Sequence, residues 1–454
     1  MHRLRQWSAS AFWLVVGTRL ACWAAVLVAL LWAPLRSGFP AFRAYGARTD
    51  FVFGAFAQWD AGWFLRIAAH GYDVKQSASF FPLYPLLTAG LGFVLRSDLV
   101  AGTAISLVSA GLGAVAVVRI ARRLAGEVVA RDSILLLALY PIGFVFTAVY
   151  SDGLFLALAA WAFLTALEGR VLTASVLGAL AVLTRPTGIA LLPALALLVW
   201  PERRSFLRPA PLVLVPAALA GYCIYLDRQF GDAAAFVHSE GSFWLRHVPA
   251  AGPLGGAWDA LHSGEQGLAQ LVLHLPAASG APGGFGKPEQ FAIWNVVQLL
   301  LLVAACALTW VCWRRVDRAA AVYSAATILL LLSAPADVVP LVSVPRFLLG
   351  DFPLFIALAV VTSTRPRLRT ALVSSFAGVG LLAAIGLRTA RGSHDACTAF
   401  DAGPLRPSRL YGMTRYQAPR AAALTSANPS STSVTHRAQT VCHGPDARAA
   451  RCTV

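Results

Sequence analysis

Five short segments carry side chains from which a reaction could be built. The first is Gln58-Trp59-Asp60-Ala61-Gly62-Trp63-Phe64-Leu65-Arg66, running on to His70-Gly71-Tyr72. A carboxylate between two tryptophans can act as a general base or as an electrostatic partner. Trp59 and Trp63 are four residues apart, a spacing that puts them on one helical face, and an interfacial helix anchored by tryptophans fits the same pattern. The second segment, Phe80-Phe81-Pro82-Leu83-Tyr84-Pro85, reads as the start of an interfacial helix. The third is Tyr150-Ser151-Asp152-Gly153, where Asp152 either caps a following helix or adds a second acid to the same pocket. The fourth is Thr184-Arg185-Pro186-Thr187-Gly188. A guanidinium between apolar runs is costly, and its planar fork suits phosphate, although a snorkelling turn residue has the same surroundings. The fifth, Val344-Pro345-Arg346-Phe347, offers a second such arginine, with Asp337 and Asp351 as available partners. Between the last two lies the polar stretch Phe230 to Pro249 with Phe243, Trp244, Arg246 and His247, whose aromatic faces could stack on a sugar ring and line an acceptor site, although a surface loop has the same composition.

Membrane helices must hold these groups. Hydrophobic residues make up 58% of the 454-residue chain and charged residues only 13%, against roughly 25% charged in soluble domains. The apolar residues come in runs of up to about 20, as bilayer-spanning helices require. The net charge of +16 is not a nucleic-acid footprint, because the arginines gather at the ends of apolar runs. Arg3 and Arg5 precede a run from Ala11 to Ala33 that is too long for a signal h-region, so it reads as a first membrane helix with its N-terminus in the cytoplasm.

Further apolar runs lie at about 82–96, 98–118, 131–149, 152–167, 171–184, 187–200, 209–226, 291–313, 319–335, 344–361 and 370–389. The arginine clusters at 119–131, 203–208, 314–318 and 365–369 all face the cytoplasm if the proline-opened run 82–96 does not cross. On that parity every chemistry-bearing segment faces outside. The expected organisation is a first helix (1–33), an extracytoplasmic catalytic loop (34–97), a helix bundle (98–226), a second extracytoplasmic loop (227–290), C-terminal membrane helices (291–389) and a basic tail without structure (390–454). The loss of apolar content after Arg391 is abrupt enough to suggest an altered reading frame, which resequencing would test.

Several chemistries lack their signatures. There is no GxxxxGK[ST], no HExxH, no Asp-x-Asp pair and no Cys/His set with zinc spacing, so no metal or cofactor is expected. Cys22, Cys223, Cys306 and Cys312 read as small apolar residues.

Taken in order, the motifs resemble the GPI mannosyltransferase 2 (PIG-V) family and its bacterial relatives. The resemblance runs through Trp59-Asp60, Gly71-Tyr72, Phe80 to Pro85, Pro141 with Tyr150-Ser151-Asp152, Thr184-Arg185-Pro186 with Gly188, Gly231-Asp232 with Trp244 and Arg246, and Pro345-Arg346-Phe347. Position 152 is Asp where relatives often have Glu, and 347 is Phe where Tyr is usual. The resemblance implies an all-α polytopic membrane fold of the GT-C class with about ten to twelve transmembrane helices. It implies a polyprenyl-phosphate-mannose donor, inverting transfer to an acceptor hydroxyl, and a site on the outer face of the cell membrane. Asp60 would be the catalytic carboxylate and Arg185 and Arg346 would hold the donor phosphate. Trp59, Trp63, Tyr72, Tyr84, Tyr150, Asp152, Trp244 and Arg246 would form the sugar pocket. The rival reading of a polytopic chain with buried charge is a multi-pass transporter or lipid flippase.

Overall fold

The computed structural model describes residues 2–32, 49, 52–200, 209–273, 288–337 and 339–386. These all fall in the first of two compact units, 1–401. The tail 390–454, Asp50 and the arginine cluster at 203–208 lie outside the described residues.

Among the described residues the elements are helical, apart from one isolated bridge between Arg246 and Ala336. In chain order the α-helices are α1 (His2–Trp32), α2 (Asp60–His70), α3 (Leu83–Leu95), α4 (Asp98–Ala125), α5 (Glu127–Leu139), α6 (Asp152–Leu167), α7 (Val171–Thr184), α8 (Leu191–Val199), α9 (Leu214–Phe230), α10 (Ala235–Trp244), α11 (Pro253–Leu273), α12 (Pro288–Arg315), α13 (Arg318–Leu332), α14 (Val344–Gly350), α15 (Phe352–Ser363) and α16 (Pro366–Gly386).

Spans Ala9–Leu31, Asp98–Ala125, Ala210–Phe230, Phe291–Arg315 and Pro366–Ile385 are long and apolar enough to cross a bilayer, and α14 with α15, bent by 86°, make a sixth if counted together. The chain is a multi-pass membrane protein, and the all-α polytopic fold expected of it is borne out. Among the described residues five shorter apolar helices fill in the bundle, and there the expected ten to twelve crossings are reached only by including them.

The run read as 131–149 is not one helix. It stops at Leu139 because Pro141 drives Tyr140 out of helical geometry (ψ 134°), and a short 3-10 turn follows at Gly143–Phe146. The run at 344–361 likewise breaks at Asp351. Helix α3, at 13 residues, is about 20 Å long, short of the roughly 30 Å hydrocarbon core.

Helix α4 is the hub, packing on α1, α3, α5 and α6. Small residues let these helices meet backbone to backbone, which is how helices associate in lipid, where no apolar surface is gained from water. A Cβ on Gly153 would lie 2.3 Å from the Ser106 carbonyl oxygen, and one on Gly113 3.0 Å from the Ala157 nitrogen. That close approach seats the first turn of α6, and hence Asp152, against α4.

Candidate active site

Each charged side chain of the site is delivered by a helix end. Asp60 opens α2, and Trp59 before it has a left-handed φ of 54°. Arg185 ends α7 in extended geometry (φ −154°, ψ 142°), as the residue before Pro186 should. The turn after it closes tightly, since a Cβ on Gly188 would meet the Val182 nitrogen at 2.5 Å. Ser343, with φ 71°, turns the chain into α14, which carries Arg346. Leu245 (φ 53°) precedes Arg246. Of the four non-glycine residues with left-handed φ among those described, three therefore stand directly before site segments, and backbone strain of this kind clusters where a site demands it.

These ends converge on an open cavity. Its wall includes Asp60, Arg185, Arg346, Glu240, Trp244 and Arg246, with Phe80, Phe81 and Phe347 as apolar lining. At the base is a chain of four charges. Arg346 donates from Nη1 to Asp60 Oδ2, and from Nε to Asp152 Oδ2 at 2.9 Å. Arg185 donates from Nη1 to the other oxygen of Asp152. The Arg346 guanidinium also lies over the Tyr150 ring at 4.3 Å, and that of Arg185 over the Phe347 ring at 5.2 Å. Asp152 is 2% exposed, whereas Asp60 and Arg346 are 15% and 16% exposed. The deeper carboxylate thus holds both guanidiniums from behind, and the shallower one meets the cavity.

On the opposite wall Glu240 and Arg246 pair at 3.1 Å. Arg246 also donates to the Ala334 carbonyl at 2.7 Å. Burial pushes the Glu240 carboxyl above its ordinary range, against the pull of the Arg246 guanidinium. Burial lowers Arg246 while Glu240 raises it.

The two long polar stretches interlock around this wall. Tyr222 donates to the Ala78 carbonyl at 2.8 Å, Gln229 to the Tyr72 carbonyl at 2.9 Å, and Ser239 to the Lys75 carbonyl at 2.7 Å. Lys75 and His238 each lie 2.7 Å from Asp232 Oδ2. Hydrogen bonds from His238 and then Lys75 hold the Asp232 carboxyl down at about 2.

Of the residues expected from sequence, Asp60, Arg185, Arg346, Trp244 and Arg246 line the cavity; Trp59, Trp63, Tyr72, Tyr84, Tyr150 and Asp152 do not. Trp59 and Trp63 share no helical face: α2 begins at Asp60, leaving Trp59 outside it and 45% exposed, while Trp63 is 4% exposed and stacked on Phe80. The tyrosines are buried struts. Tyr72 donates to the Phe80 carbonyl at 2.5 Å, and Tyr150 to the Gln58 carbonyl at 3.3 Å. Tyr84 donates to the Gly102 carbonyl at 2.9 Å and lies 2.8 Å from the Ser106 hydroxyl, which is itself 2.8 Å from the Tyr150 carbonyl. Those bonds fix the peptide just before Ser151 and Asp152. Asp152 is neither the cap of α6, whose N-cap is Ser151, nor a wall residue; it is the anchor of the arginines. The partners read for Arg346 are also corrected. Asp337 pairs with His247 at 2.8 Å and Asp351 accepts from Ser324 at 2.5 Å, so neither is taken up by Arg346. Glu240 was missed, since its only sequence signal is an arginine six residues on in a polar stretch.

Among the described residues no group of three His, Cys, Asp or Glu side chains is placed to hold a metal ion.

The family model described as Mannosyltransferase (PIG-V) matches residues 11–199, a stretch that includes Asp60, Asp152 and Arg185. No curated protein matches. Two solved structures share a distant likeness. The crystal structure of ArnT from Cupriavidus metallidurans bound to undecaprenyl phosphate is 14% identical, with 76% of this chain and 77% of that one covered and a TM-score of 0.36. The archaeal oligosaccharyltransferase AglB from Archaeoglobus fulgidus, in complex with an inhibitory peptide and a dolichol-phosphate, is 13% identical, covering 72% of this chain and 49% of that one, with a TM-score of 0.35. At these scores the likeness is too slight to argue from. Helices and family match together define a multi-pass membrane glycosyltransferase. Within that class the match is to the mannosyltransferases of PIG-V type, which bears out the resemblance read in the sequence.

Proposed function

We propose that the chain moves a mannosyl residue from a polyprenyl-phosphate-mannose donor to an acceptor hydroxyl on the extracytoplasmic face, with inversion. The observation that carries this reading is the cavity whose floor holds one reachable carboxylate, Asp60, next to two guanidiniums fixed by a buried one, Asp152. The acceptor oxygen attacks the anomeric carbon from the face opposite the phosphate. The bond from that carbon to the phosphate oxygen breaks, and its electron pair leaves with the lipid phosphate. The acceptor's proton passes to Asp60. Arg185 and Arg346 stabilise the charge growing on the phosphate, and such preorganised help is usually the largest catalytic term. Trp244 offers an aromatic face to a sugar ring.

Sidedness draws support from α4. Its Ser106 touches the site through Tyr150, while Arg122 sits sixteen residues further along, about 24 Å at 1.5 Å per residue, with Arg123 beside it. A second arginine cluster joins that end through Arg369 and Asp132, at 3.1 Å. Arginine-rich ends favour the cytoplasm, which leaves the site outside, under a cover made from the segments 52–97 and 227–273. Convergence of charges from separate chain segments on one cavity favours an enzyme over the transporter or flippase alternative.

The test is transfer from radiolabelled polyprenyl-phosphate mannose by the purified protein in nanodiscs, with an extract of membrane acceptors. Asp60→Asn is expected to lower turnover by about 10²- to 10⁴-fold, as loss of a general base does. Transfer at the wild-type rate by a folded Asp60→Asn protein ends the assignment.

A further inference from the structure

In the structure the proposed base is already in use. Asp60 Oδ2 is held by Arg346, the residue that must also meet the donor phosphate. The charges at the floor cancel: Asp60 and Asp152 against Arg185 and Arg346. No positive charge is left over for a phosphodiester, which brings one negative charge. Bound without rearrangement, the donor phosphate would share Arg346 with Asp60, two negative charges facing each other across one guanidinium where water is scarce. That repulsion is relieved if one carboxylate releases its guanidinium and turns to water.

The geometry decides which. Asp152 is 2% exposed and accepts from both arginines, one on each oxygen, so it has the most to lose and no water to turn to. Asp60 is 15% exposed and is held by Arg346 through a single nitrogen. The two contacts of Arg346 also use different atoms, Nη1 toward Asp60 and Nε toward Asp152. The guanidinium can therefore swing its Nη1 edge off Asp60 while Nε stays on Asp152 and the face stays on the Tyr150 ring.

We infer that Arg346 is a latch on Asp60, released when a donor phosphate takes over its Nη1 edge, so that the donor must bind before the acceptor hydroxyl can be deprotonated. The inference rests on the proposed function, since it takes Asp60 as base and the arginines as the phosphate site. In the chemical step negative charge leaves Asp60, which gains a proton, and appears on the phosphate. Arg346, having changed partner in the same direction, is where that charge needs to be met. Asp152 is then the pivot, a positioning residue that touches neither substrate.

The experiment is direct binding of undecaprenyl monophosphate to the purified protein in nanodiscs, comparing wild type with Asp60→Asn, Glu240→Gln, Arg346→Gln and Arg346→Lys, each checked for folding by thermal melting. Removing the carboxylate that competes for Arg346 should tighten binding by about 5- to 30-fold, the factor that one or two kcal/mol represents. Glu240→Gln removes an equal charge from the same cavity but from the partner of Arg246, so it should tighten binding far less. An Asp60→Asn protein that binds no better than wild type, or no better than Glu240→Gln, overturns the latch. Arg346→Gln separates the two claims. If it weakens binding while Asp60→Asn changes nothing, the phosphate site stands and the latch falls. If neither Arg346→Gln nor a folded Arg346→Lys affects binding, the phosphate site itself is wrong.

Discussion

Asp152→Asn removes one charge and almost no volume, and the structure says how much should depend on it. The carboxylate is 2% exposed and is the shared acceptor of Arg185 and Arg346, which are 11% and 16% exposed. Breaking a fully buried pair by removing one partner costs about 3–5 kcal/mol, because a charge is left buried and unmatched. Here the guanidiniums reach the cavity and are partly solvated, Arg346 keeps Asp60, and an amide can still accept one hydrogen bond. The loss is therefore placed lower, at about 2 kcal/mol, discounted for screening at the exposed edges. For stability this means a clear fall in melting temperature in detergent. For activity the effect is larger, because the arginines lose the group that aims them, and a misplacement of about 1 Å can cost about 10²-fold. Transfer from labelled polyprenyl-phosphate mannose should fall by that order, with the loss shared between donor affinity and turnover. Asp152→Glu should recover part of it, since the charge returns on a longer arm. If Asp152→Asn melts with the wild type and binds undecaprenyl monophosphate as tightly, Asp152 does not anchor the arginines and the account of the site fails.

Gly153→Ala should destabilise the bundle by about 1–3 kcal/mol, because the new methyl lands 2.3 Å from a backbone oxygen that no side-chain rotation can move. Lower melting temperature together with reduced transfer is expected, and an unaffected protein would show that α4 and α6 can part freely. Asp232 tests the interlock of the two polar stretches. Its folded value of about 2 lies below its ordinary 3.8, so its contribution is fully present above pH 4 and is lost as pH falls through 4 to 2. The difference in melting temperature between wild type and Asp232→Asn should therefore shrink across that window, and a difference that stays constant down to pH 2 would remove Asp232 from the interlock.

The sequence already contained a good part of this. Long apolar runs required helices in lipid, because no other backbone satisfies itself there, and the proline at 186 marked where one of those helices breaks, although the break at Pro141 went unread. Asp60, Arg185 and Arg346 stood out because charge next to apolar runs is too costly to be incidental. Pairing was another matter. Nothing local tells Arg346 to pass over Asp351, five residues away, and reach Asp60 and Asp152, 286 and 194 residues away. That choice follows from the left-handed turn at Ser343 and the 86° bend between α14 and α15, which set the direction of the side chain. Tyr72, Tyr84 and Tyr150 carry the right chemistry for a sugar pocket, yet the packing spends their hydroxyls on carbonyl groups inside the bundle. Glu240 had no signal of its own and joined the site only because the second polar stretch folds back onto the first. Composition and spacing determined what had to be in the membrane and which charges had to matter. Which charges meet was decided by helix ends brought together across hundreds of residues, a property of the packed chain that no short window of sequence contains.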